Sequence, residues 1–125
     1  MMTELEALRD AMAAISGVAS CKIGIEPNIG PTDYPMIRIV PQRITPGKPY
    51  HGRTAETLIY FGAAIATSEG LESVYEALFD LEAEILAVLR TLGVRTLDTV
   101  TDEDRLDAYK LMVLRCEITT ANVAP

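Results

Sequence analysis

The sequence predicts an α+β domain, a four-stranded and mainly antiparallel sheet with two amphipathic helices in the order α-β-β-β-α-β. Three observations predict it. In two separate stretches apolar residues recur every three or four positions, the spacing of a helix with one buried stripe. Between and after those stretches lie runs rich in Ile, Val, Leu and Tyr, bounded by Pro and Gly as strands are. The chain has 125 residues, 49% of them apolar, enough for one domain that buries roughly two-thirds of its unfolded surface.

The first helix starts at Thr3, which forms a capping-box pattern with Glu6. Leu5, Leu8, Met12 and Ile15 supply its stripe, and Gly17 stops it. Strand one, residues 19–26, alternates Cys21, Ile23 and Ile25 with Lys22, Gly24 and Glu26. Pro27, Gly30, Pro31 and Pro35 mark a loop. Strand two, residues 36–44, is apolar on both faces around Met36, Ile37, Ile39 and Val40, and Pro41 within it calls for a sheet edge or a bulge. Pro46-Gly47 turns the connector 45–53. Strand three, residues 55–67, sets Leu58 and Tyr60 against Ile59, Phe61 and Ile65. The second helix, residues 71–92, carries Leu71, Val74, Leu78, Leu81, Ile85, Val88 and Leu92 and ends at Gly93. The last strand, residues 108–120, places Leu111 and Val113 opposite Met112, Leu114, Cys116 and Ile118. No repeat or interdomain linker interrupts this order.

Strands apolar on both sides exceed what a monomer with one wet sheet face needs. A helix on each face would account for them, and so would a subunit interface; the residues leave both open.

Composition narrows the function. With 18 acids against 11 bases the formal charge is −7, so phosphate backbones are repelled on average and specific nucleic-acid binding is not expected. No apolar run reaches the ~18 residues of a membrane span. Met1-Met2-Thr3-Glu4 lacks the basic and apolar regions of a signal peptide, and the expectation is cytoplasmic synthesis without export. Cys21 and Cys116 stand far apart in apolar stretches and read as reduced core residues. With one histidine, His51, they fall short of the about four ligands of a zinc site.

Signals for catalysis are equally thin. Gly47-Lys48 is followed by Pro49, so no phosphate loop exists, and the serines lack an elbow motif. His51 lies in a loop-like stretch and reads as exposed. Asp98, Asp102, Glu103, Asp104 and Asp107 cluster without the alternation and central glycine of a calcium loop, and Thr101 with Asp104 reads as the cap of a short helical turn. No catalytic, cofactor or metal residue is therefore assigned, and the chain reads as an assembly protein rather than an enzyme.

The distribution of charge is more informative. Glu72, Glu76 and Asp80, with Glu84, recur every four residues on helix two. Like charges at that spacing repel by roughly 0.2–0.5 kcal/mol per pair. The stripe reads either as a solvated face or as a surface that meets a basic one. Such a surface exists: residues 34–55 hold no acid but contain Arg38, Arg43, Lys48 and Arg53, whereas residues 68–107 hold eleven of the eighteen acids. Sorted charge suits head-to-tail association, which closes into rings or grows as filaments. Arg43, Lys48, Arg53, Glu72, Glu76 and Asp80 are the candidate interface residues.

The whole-chain pattern resembles the tail terminator (tail completion) proteins of long-tailed bacteriophages, of the lambda tail-protein-U type. The likeness lies in size, acidic charge, element order, the run Ala55-Glu56-Thr57-Leu58-Ile59-Tyr60 through helix two, and the close Tyr109-Lys110-Leu111-Met112-Val113-Leu114-Arg115-Cys116-Glu117-Ile118. The resemblance implies a ring, usually of six subunits, in the virion at the head-proximal end of the tail. Its partners would be further copies of itself, the tail tube protein and the head–tail connector protein, with DNA passing through the lumen and no membrane involved. Other small neck proteins look alike at this level. A ligand-binding regulatory domain, with a pocket under the sheet, and an enzyme with a site of acids across a subunit boundary are the rival readings.

Overall fold

The computed structural model describes residues 1–27, 29–46, 52–64, 70–102 and 109–120. Its elements are α1 (Met2–Ala13), β1 (Ser20–Ile23), a 3-10 turn (Pro31–Asp33), β2 (Met36–Pro46), β3 (Arg53–Ala64), α2 (Gly70–Thr91), β4 (Arg95–Asp102) and β5 (Tyr109–Thr120). The α+β class with two helices stands, but the described sheet has five strands rather than four. They lie in the order β1-β2-β3-β5-β4, and the chain runs α-β-β-β-α-β-β. β1 pairs with β2 in parallel, and the remaining pairs are antiparallel.

The unexpected strand is β4, Arg-Thr-Leu-Asp-Thr-Val-Thr-Asp. Its threonines are β-branched and suit a pleated surface, but it is an edge strand with few apolar residues, so its acids dominate the sequence pattern. Thr101, expected to cap a helical turn, instead pairs with Met112 in the ladder.

Both helices cover one face of the sheet. Leu5, Leu8, Met12 and Ile15 from the first helical region and Val74, Leu78, Leu81, Ile85 and Leu89 from α2 share one core. The sheet contributes Ile37, Ile39, Ile59, Phe61, Met112, Leu114, Cys116 and Ile118. Register explains the set, since Ile39, Ile59 and Leu114 lie on one rung and Ile37, Phe61 and Met112 on another. Side chains alternate across a strand, so these project together. A helix on each face is thereby overturned, and the strands' second apolar face needs another account.

The helix ends differ in how closely they follow local signals. Met1 is the cap of α1, Thr3 lies inside its first turn, and no side chain caps it, so the capping box does not form. Leu5 N donates to Met1 O at 3.1 Å instead. The helix ends at Ala13, and Gly17, with φ of 90°, serves the following turn. Gly93 stops α2 as expected: with φ of 72° it lets Gly93 N donate to Arg90 O and Val94 N to Leu89 O, a Schellman closure.

The buried stripe of α2 drifts. An apolar repeat of 3.5 residues on a straight helix of 3.6 rotates by roughly 20° per heptad. Near the C-terminal end the core position therefore passes from Val88, which is half-buried, to Leu89, which is fully buried. Both terminal leucines of the repeat turn outward, Leu71 being 57% and Leu92 44% exposed.

Two bulges flank a single rung. β2 shifts register between Pro41 and Arg43 against Thr57–Glu56, and β4 shifts between Thr96 and Asp98 against Cys116–Arg115. Thr57 and Cys116 are themselves paired. Bulges bend and twist a strand locally, and beyond this level Arg43–Pro46 of β2 and Arg53–Glu56 of β3, the β2–β3 arm, remain flanked by β5 as far as Thr120. Pro41 is tolerated there at the bulge and beyond the last β1 partner, Ile39.

Candidate interface

On the sheet face away from the helices, one end is covered by the described part of the 24–35 segment. Arg38, expected among the basic surface residues, is fully buried there. Its Nε donates to Glu26 Oε1 at 2.6 Å, Nη2 to Glu26 Oε2 at 3.2 Å, and Nη1 to Ser20 Oγ at 3.0 Å and Ile37 O at 2.8 Å. Lys22 reaches the same carboxylate at 2.9 Å. The Arg38 guanidinium first and Lys22 next hold the Glu26 carboxyl down at about 2. Burial of an arginine at this cost is tolerated because the guanidinium fork is bidentate and its remaining hydrogens find acceptors. Close by, the ring of Tyr34 packs over Gly62 beside Leu111.

Beyond this cover the same face is only partly open, and Val113, between Tyr60 and Val100, is buried. Val40, Leu58, Tyr60 and Leu111 are half-buried, and Val100 is exposed. Arg115 and Asp98 close a bidentate ion pair at its edge, which lowers the Asp98 carboxyl and raises the guanidinium. Two clefts lined by described residues near these elements are small. One, of about 220 Å³, lies between α1, the end of α2 and β5, lined by Glu4, Leu8, Leu92, Arg95, Glu117 and Ile118. It is below the ~300–1,000 Å³ usual for small-molecule sites, and Arg95 already meets Glu117 at 3.2 Å. The other, of about 60 Å³, sits at the bulges beside Gln42, Leu97 and Arg115.

The described candidate interface residues divide into two groups, one on the β2–β3 arm and one on the first half of α2. Arg43 and Arg53 are exposed on the β2–β3 arm, and Lys48 lies outside the described residues. The arm separates its two arginines. Ile44 pairs with Ala55, and Pro46 with Arg53, on the side of the sheet that carries the helices; Arg43 pairs with Glu56 on the other. Arg43 Nε also lies 3.6 Å from Glu56 Oε2, a loose and exposed ion pair. Arg53 therefore shares its face with Ile44, which is 46% exposed.

Glu72, Glu76 and Asp80 are all exposed on the first half of α2, and none is ion-paired with another described residue. Beside them runs a second stripe that the core pattern hid: Leu71, Tyr75 and Phe79, at spacings of four. Leu71 and Phe79 are 57% and 52% exposed. The Tyr75 and Phe79 rings stand 6.0 Å apart, tilted by 34°, and the Lys110 ammonium sits 5.6 Å over the Tyr75 ring. Lys110 itself is buried and pairs with Ala63. Tyr75 is thus tied to the Ala63 rung, eight residues along β3 from Ala55, or roughly 26 Å at the rise of a strand. Arm and stripe do not meet within one copy.

Other candidates from the sequence separate in the same way. His51 and the stretch Glu103–Asp107 lie outside the described residues. The thiols are free, Cys116 buried and Cys21 half-buried, and desolvation pushes them up to about 12 and about 11. Among the described residues no three His, Cys, Asp or Glu side chains are grouped to hold a metal, and no helix is long and apolar enough to cross a membrane. No protein-family model matches the chain, and no curated protein matches it.

Proposed function

We propose that the protein is a structural, non-catalytic subunit of the phage tail-terminator type, which assembles head-to-tail into a ring on the tail tube. The observation that carries this reading is the placement of complementary charge: exposed Arg53 on the β2–β3 arm, beside Arg43 in its loose pair with Glu56, and an acidic face on α2 that has no ion pair among the described residues. An attractive contact between such patches must be made between copies, and a heterologous contact that closes gives a ring. The partly open sheet face, with Leu58 and Tyr60 half-buried and Val100 exposed, supports a further contact in the assembly, since exposed apolar surface can mark interaction sites. Tail tube and head connector are its partners in this reading, and the acidic surplus keeps DNA from sticking in the lumen. The terminator role itself, rather than that of another small neck protein, rests on the resemblance in chain pattern.

The test is solution mass by light scattering with negative-stain images, at low and high salt and with purified tail tubes. Rings that weaken as salt rises, and that cap tubes and stop their growth, are expected. A monomer at high protein concentration, with and without tubes, would rule the proposal out.

A further inference from the structure

We infer that the Leu71–Tyr75–Phe79 stripe of α2 is the receptor for the β2–β3 arm of a second copy, with Ile44 seated on the aromatic pair and Arg53 against the adjacent acids. The inference rests on the ring reading and adds to it which surfaces meet.

Three features on the two surfaces fit each other. First, both carry large apolar side chains that the fold leaves half in water. Leu71, Phe79 and Ile44 are each between 46% and 57% exposed, and covering the remaining apolar surface of such side chains favours association. Second, charge is arranged beside each apolar element with opposite sign. Glu72, Glu76 and Asp80 follow Leu71, Tyr75 and Phe79 by one position, so the acidic row borders the apolar row along the helix. On the arm, Arg53 lies on the same face as Ile44. An exposed acid row alone is tolerated as a solvated surface; here it is edged by exposed Leu71 and Phe79 with half-buried Tyr75 between them, a contiguous apolar strip of the kind that marks a contact. Third, the receptor is held in place before any partner arrives. Lys110 stacks on Tyr75 from the sheet, and Tyr75 abuts Phe79, so little side-chain freedom remains to be lost on docking.

The second copy is favoured over an unrelated partner because this chain itself supplies the complement, on a surface that cannot reach the receptor within one molecule. The face assignment also separates two arginines that the sequence grouped together. Arg43 projects from the opposite side of the arm and already faces Glu56, so Arg53 makes the contact and Arg43 does not.

The experiment uses two double variants of the full chain, Ile44→Asp with Arg53→Glu on the arm and Leu71→Ser with Phe79→Ser on the helix, and two single variants, Arg43→Glu and Arg53→Glu. All these positions are exposed, so circular dichroism and melting should match the wild type. Each double variant alone should lose assembly at least tenfold in apparent dissociation constant. Mixed in equal amounts the two double variants should form a dimer and nothing larger, because one keeps an intact receptor and the other an intact arm. Arg43→Glu should change assembly less than threefold. Rings that persist in both double variants would overturn the inference while leaving the ring reading in place. Failure of the mixture to dimerise, or an Arg43→Glu loss equal to that of Arg53→Glu alone, would overturn the assigned faces. A wild-type protein that is monomeric at every concentration would sink both.

Discussion

Replacing Glu26 by Gln should destabilise the fold by about 3 kcal/mol at neutral pH, and the pH dependence should identify the cause. Arg38 is fully buried and depends on this carboxylate for both its Nε and Nη2 hydrogen bonds. Removing one partner of a buried pair leaves the other charge uncompensated, at roughly 3–5 kcal/mol. The depressed carboxyl reflects the same contacts, Arg38 first and Lys22 next: it is held at about 2 against an ordinary 4.5, which is on the order of 3 kcal/mol. Glu26 is 27% exposed and Gln keeps one acceptor oxygen, which places the effect at the lower end of the first range. Because the folded-state value lies below the unfolded one, the stabilisation is complete above about pH 4.5 and is lost as pH falls toward 2. Urea unfolding of both proteins between pH 7 and pH 2.5 provides the assay. The stability gap should be about 3 kcal/mol at pH 7 and should close in acid. A gap below about 1 kcal/mol at pH 7, the level of an exposed ion pair, or one that does not narrow in acid, would refute the reasoning.

Gly62→Ala should cost about 1–3 kcal/mol in the same assay, the usual range for overpacking. Its Cβ would overlap Leu111 Cδ2 and stand 3.0 Å from the Lys110 carbonyl oxygen and 3.1 Å from Tyr34 Cε1. Thiol labelling at pH 8 should leave Cys116 unmodified in the native protein and modify both cysteines in denaturant, since burial keeps its thiol protonated and out of reach. Native labelling of Cys116 at the rate of the unfolded chain would contradict the packing described.

How much of this was legible in the sequence depended on whether burial and local pattern agreed. α2 was legible because Val74, Leu78, Leu81 and Ile85 are both periodic and buried. The same pattern concealed the candidate receptor: Leu71 looked like the first member of the core stripe, and only the rotation of a straight helix against its heptads turns it outward to join Tyr75 and Phe79. β4 was missed because an edge strand of threonines and acids carries little of the apolar alternation that marks a strand. Arg38 read as surface because charge ordinarily means exposure; its burial depends on Glu26, twelve residues away across a loop whose path no local pattern predicts. The acidic row and Arg53 were legible as charges. Which arginine shares a face with Ile44 was not, since the bulge at Pro41/Arg43 shifts the alternation of β2 by one residue.

The strand order has a consequence for biosynthesis. β5 is the last of the five strands to emerge from the ribosome, yet it lies inside the sheet, between β3 and β4. Until it is delivered, β3 keeps an open edge and β4 has no described partner, although the helices, β1 and the β2–β3 arm are already made. Arm and receptor both belong to this earlier-made part, but Tyr75 is braced by Lys110, which belongs to β5. A nascent chain would thus expose the arm before its own receptor is set, and only the chain that has inserted its final strand could accept a neighbour.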